Sequence, residues 1–195
     1  MGTVLETCPK VLVSYWRLSV NHRRLVQEVL TRDFNFVQFL SAELVPANLT
    51  TLKDLLKVDT GLSRKQLLAV YLYCVFAEMA GSMGPKSLEG SVYMTEEKWI
   101  EFQEGRDALE KLEHDNEMAI YDQILAKRIV FMENWKFDRM RPESRAVARL
   151  ACLFNVTNST DGRRVIDAYE ELDIDERAAL TKYLTADGIS QTPGF

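Results

Sequence analysis

Two histidines, His22 and His114, are the whole supply of imidazole in the chain, and His114 stands between Glu113 and Asp115. Imidazole and carboxylate ligands around a divalent cation acidify a bound water, which then attacks a phosphoester. By residue type, His22, His114, Asp115 and Asp167 could fill such a set. Their spacing works against it, because the histidines lie 92 positions apart (114 minus 22) and a His-Asp dipeptide arises often by chance. His22 adjoins Arg23 and Arg24 on what reads as the polar side of a helix.

This ligand pattern is that of helical metal-dependent phosphohydrolases of the HD type. It supplies the second alternative function, with His22, His114 and Asp115 as metal ligands. The plainer reading of His114-Asp115 is a solvated charged helix or turn, and in the leading interpretation the chain carries no metal and no cofactor. Other chemical fingerprints are missing: there is no GxxxxGK[ST], GxGxxG, HExxH, CxxC or GxSxG. Without a nucleophile signature beside either histidine, the chain reads as more plausibly a non-enzyme than an enzyme.

A second constellation is Lys127, Arg128, Lys136, Arg139, Arg141, Arg145 and Arg149, interleaved with Phe131, Trp135 and Phe137. Nucleic-acid surfaces combine cations for phosphates with aromatics for bases, so RNA or DNA binding through residues 127–149 is the first alternative function. The charge balance opposes it. The chain has a net charge of −5 and a pI near 5.2. Residues 86–126 hold four basic and eleven acidic groups, net −7, and residues 127–149 hold seven and three, net +4. Neighbouring segments of opposite sign are most simply two antiparallel helices that attract each other, with Glu101, Glu104, Glu110, Glu113 or Glu117 facing the cations.

The third constellation is apolar. Trp99, Phe102, Leu109 and Leu112 form a narrow stripe on an otherwise acidic helix. Such a stripe serves a core, and it equally serves a partner's groove. With no catalytic motif in view, the leading function is a non-enzymatic intracellular module for protein–protein interaction, a scaffold that uses helical faces, with those four residues as its contact strip. Its partner is another protein. Nucleic acid is the alternative, a membrane is not expected, and the oligomeric state is open.

The elements that must position these groups are helical. Composition is ordinary for a globular protein, 47% hydrophobic and 27% charged over 195 residues. Three cysteines, Cys8, Cys74 and Cys152, are too few and too apolar in setting for a disulfide framework. No secretory signal pattern precedes Lys10, which places the protein in the cytoplasm or nucleus and not among secreted ones. Apolar spacing predicts helices over 11–30, from Asn35 to before Pro46, from Asn48 to about 59, and over 63–80. Further helices are expected from Thr95, through about Phe137, from Pro142 to about Phe154, over 165–172, and from Asp173 to Gly188. Residues 86–94 form the one plausible strand. The helix over 63–80 is apolar nearly all round, so other helices should enclose it. The expected architecture is therefore all-α: one helical domain over 1–188, a bundle wrapped around that central helix, with a frayed tail at 189–195.

Overall fold

The computed structural model describes residues 13–32, 34–81, 94–132 and 135–188. Among them the chain is all-α, with ten α-helices and no strand. The expected strand falls, except for Met94, outside the described residues, as do Cys8 and the expected tail.

In order, the helices are α1 (Val13–Trp16), α2 (Val20–Thr31), α3 (Phe36–Leu40), α4 (Asn48–Leu55) and α5 (Arg64–Gly81). After the segment outside the described residues come α6 (Glu96–Leu109), a 3-10 turn (Glu110–Glu113) and α7 (Glu117–Arg128). The chain then forms α8 (Pro142–Leu153), α9 (Ser159–Glu171) and α10 (Ile174–Leu184).

Side-chain caps set most starts. Ser63 and Gln66 close a reciprocal capping box at α5: the Gln66 amide donates to Ser63 Oγ (3.3 Å) and the Ser63 amide to Gln66 Oε1 (2.9 Å). Thr95 Oγ1 accepts from the Lys98 amide at α6, and Asp173 Oδ1 from the Glu176 amide at α10. Two helices end or break earlier than expected. Ser19 accepts from the His22 amide and starts α2, so the expected helix over 11–30 is two helices. Asn116 likewise caps α7, which then stops at Arg128 and does not run on toward Phe137.

Of the described residues, those up to Phe34 and those between Leu49 and Ile100 form one compact unit. Those between Asn35 and Asn48 and those from Glu101 onward form another. In the first unit, α5 buries Leu67, Leu68, Tyr71, Leu72 and Met79. Tyr71 donates its phenol hydrogen to the Phe34 carbonyl (3.2 Å) and packs edge-on against the Phe34 ring. Burial pushes its phenol pKa well above the ordinary value. The enclosure expected on every side of this helix is one-sided, since Ala69, Tyr73 and Ala77 are exposed, Tyr73 at 72%. Hydrophobicity on all faces carried no information about which face the neighbours would choose.

In the second unit, α7, α9 and α10 all pack against α8. This helix buries Ser144, Ala146, Val147, Ala148, Arg149, Ala151 and Cys152. Small side chains let several backbones come close, because interaxial distance follows the size of the contacting residues. Gly105 does the same where α6 meets α3. A Cβ there would collide with Leu40 and lie 2.7 Å from Phe36 Cζ. Buried polar bonds pin these helices. Tyr121 on α7 donates to the Ala42 carbonyl (2.9 Å), and Arg149 on α8 donates to the Leu184 carbonyl (3.0 Å) at the end of α10. A cation at a helix C-terminus is favourable for the helix dipole as well as for the orphan carbonyl. Thr181 Oγ1 gives its hydrogen to the Arg177 carbonyl, so Tyr169 is the donor in the 2.5 Å contact that ties α9 to α10.

Candidate functional site

A concavity lies in the second unit, between α7 and the segment 136–141 that leads into α8. It is open to solvent and holds about 760 Å³. Asp115, Ala119, Asp122, Gln123 and Ala126 line one side, and Lys136 through Arg141 line the other.

The construction of this cleft follows from a few bonds. Asp122 is 6% exposed and accepts two hydrogens from Arg145, from Nε at 2.8 Å and Nη2 at 2.7 Å. This bidentate, charge-assisted pair joins α7 to α8 and forms the floor. Arg145 Nη2 also donates to the Arg139 carbonyl (2.9 Å), and Ser144 Oγ accepts from the Asp138 amide (2.9 Å). Asp138 Oδ1 in turn accepts from the Met140 amide (2.9 Å). The wall over 138–141 is therefore held in place by the first turn of α8.

The seven basic residues singled out above separate into two groups. Lys127 pairs with Glu104 (3.2 Å) and Arg128 with Glu101 (3.8 Å), the internal pairing expected from the charge pattern. Arg145 is taken by Asp122, and Arg149 is buried against Leu184 and the Tyr121 ring, 6.0 Å from its centroid. Lys136, Arg139 and Arg141 remain. All three are exposed, line the cleft, and have no ion-pair partner among the described residues.

The metal-ligand set does not assemble. Among the described residues no group of three His, Cys, Asp or Glu side chains could hold a metal ion. His22 and His114 are both exposed, as a solvated helix and a turn would have them. The apolar stripe is mostly core: Phe102 is 5% exposed and Leu109 and Leu112 are fully buried. Phe102 packs its ring 5.3 Å from Phe36. Only Trp99, 40% exposed and edge-on to Phe76 at 5.8 Å, stays within a partner's reach.

A surface the sequence reading missed is the outward side of α5. Ala69, Tyr73, Phe76, Ala77 and Ala80 fall at helical spacings that share one face. Ala69, Tyr73 and Ala77 are exposed and Phe76 is half-buried beside Trp99. The signal was present as a helix with more apolar faces than a small unit can cover.

Among the described residues, an all-α fold with a charged cleft and an exposed apolar helix face is the class these features define. The chain belongs to the family of unknown function DUF6829, whose model matches residues 10–195. No curated protein and no solved structure matches it. No helix among the described residues is long and apolar enough to cross a membrane.

Proposed function

We propose that this protein is a non-enzymatic interaction module that binds another protein through the outward face of α5, with Trp99 at its edge. The observation that carries the reading is the exposure of Tyr73 at 72% on the most apolar helix, flanked by Ala69, Ala77 and the Phe76–Trp99 pair. An aromatic of this size offers a large contact area at little entropic cost, and tyrosine and tryptophan are enriched among residues that dominate binding. A contiguous apolar helix face in water marks an interaction site more often than chance exposure does. Of the stripe first expected to meet the partner, Trp99 is retained, whereas Phe102, Leu109 and Leu112 are buried.

RNA or DNA binding through residues 127–149 has less support. Four of its seven cations are engaged internally, and a polyanion needs a continuous positive track. A metal-dependent phosphohydrolase has no ligand cluster among the described residues.

A photo-crosslinking residue placed at Tyr73 in the native cell tests the reading. One protein adduct should form from position 73 and none from Arg64, an exposed polar position on the opposite side of the same helix. Ala77→Glu, on the same exposed face, should abolish the adduct without moving the thermal melt. No adduct from position 73, or the same adduct from position 64, would overturn the proposal.

A further inference from the structure

The cleft beside α7 is separate from the α5 face and has chemistry of its own. Three cations, Lys136, Arg139 and Arg141, stand on one short segment without anionic partners among the described residues. The acids of the cleft do not cancel them all. Both oxygens of Asp122 are taken by Arg145, and Asp138 Oδ1 receives the Met140 amide. Asp115, half-buried, is the one lining carboxylate without a bond of its own among the described residues. Lys111 Nζ donates to Gln123 Oε1 (2.8 Å), which leaves the Gln123 amide hydrogens to donate. The half-buried ring of Phe137 lies along the same wall.

We propose that this cleft binds a nucleotide-sized organic phosphate. Arg139, Arg141 and Lys136 hold the phosphate, the Phe137 ring receives a flat ring, and Asp115 accepts from a hydroxyl. Guanidinium forks match phosphate oxygens in pairs, and a cluster of them without an ion-pair partner among the described residues is suited to a doubly charged group. The volume of about 760 Å³ far exceeds a bare ion and falls in the range of small-molecule sites. The segment is already fixed by Ser144 and Arg145, so binding costs little ordering of the backbone. A polymer is a poorer match, because Lys127, Arg128, Arg145 and Arg149, the other four cations of this stretch, are occupied.

Calorimetry of the full chain with AMP, GMP, CMP and UMP, with inorganic phosphate and a 30-mer single strand for comparison, tests the inference. At least one nucleotide should bind with a Kd below about 1 mM. The Arg139→Ala/Arg141→Ala variant should weaken that binding about tenfold or more with an unchanged melt, since both side chains are exposed. Inorganic phosphate should bind more weakly than the best nucleotide. Four results would each overturn the proposal: no binding by any nucleotide at millimolar concentration, equal affinity in the double variant, phosphate as tight as the nucleotides, or tighter binding of the 30-mer with a steep salt dependence.

Discussion

Helix α5 carries Leu67, Leu68, Val70, Leu72, Val75 and Phe76, while α8 carries three alanines, two arginines and a serine within twelve residues. Yet α8 has seven buried residues, including two polar ones, and three helices pack on it. The longer α5 has five and leaves Tyr73 in solvent. Hydrophobic content sets how much a helix gains by being covered, roughly 1.5–3 kcal/mol for each large side chain. How many neighbours can reach it is set by side-chain size and by the bonds that hold them. Ala146, Ala148 and Ala151 permit close approach, and Arg145 and Arg149 reach Asp122 and Leu184 on two different helices. Part of the apolar surface of α5 is left exposed, Tyr73 above all.

The strongest way to break this contrast is a charge on each helix. Val147→Asp places an unpaired carboxylate at a fully buried position of α8, at a cost of several kcal/mol, and should abolish cooperative unfolding by circular dichroism. Tyr73→Asp on α5 should change stability by less than about 1 kcal/mol, as surface changes usually do. If the two melts shift alike, α8 is not the better enclosed helix.

Next in size is the floor of the cleft. Asp122→Ala strands the Arg145 guanidinium, which is 16% exposed, and should cost about 3 kcal/mol in urea denaturation. A matched apolar pair, Asp122→Leu with Arg145→Met, should recover most of that loss, since breaking such a pair costs more than replacing it. A double variant as unstable as Asp122→Ala would show that Arg145 acts chiefly through the Arg139 carbonyl instead.

The cysteines sharpen the comparison, because each helix carries one. Burial raises the thiol pKa at both, and pushes that of Cys152 on α8 up to about 11, whereas Cys74 on α5 is half-buried. Only the thiolate reacts, so in a Cys8→Ser background iodoacetamide at pH 8 should label Cys74 first and Cys152 only on unfolding. The sign for stability follows. A thiol raised from about 9 to about 11 stays protonated when the unfolded chain has already lost the proton, so stability falls as pH rises through that window. Relative to Cys152→Ala, the native protein should lose about 1 kcal/mol more between pH 8 and pH 10.

Much of this architecture was legible because its signals are local. The Ser63–Gln66 box, the Thr95 and Asp173 caps and Pro142 at the first turn of α8 all act within four residues of where they stand. What escaped is not local. Nothing near Tyr73 in the chain says that it faces solvent, since apolar residues on all faces give no direction. Nothing near Arg145 distinguishes it from Arg141, four residues away, although one is locked to Asp122 and the other lines the cleft. Residues of one type diverge there because a fold brings residue 122 to residue 145 and, among the described residues, pairs no anion with residue 141.

The smallest expected effect concerns the charge pattern that was plainest in the sequence. The acidic segment does meet the basic one, through Lys127–Glu104 and Arg128–Glu101. Both partners of the first pair are nearly half exposed, where water and salt screen the attraction and two long side chains lose freedom in making it. Lys127→Ala should therefore cost no more than about 0.5 kcal/mol, and less in high salt. Asp122→Ala should cost several times as much, although each removes one ion pair between helices. Equal losses from the two variants would mean that surface charge, and not the buried floor of the cleft, aligns α7 with its neighbours. Unequal losses as stated would leave opposite charges as a guide to which helices lie side by side, with the larger share of the packing energy of α7 coming from its buried Ile120, Ile124 and Leu125.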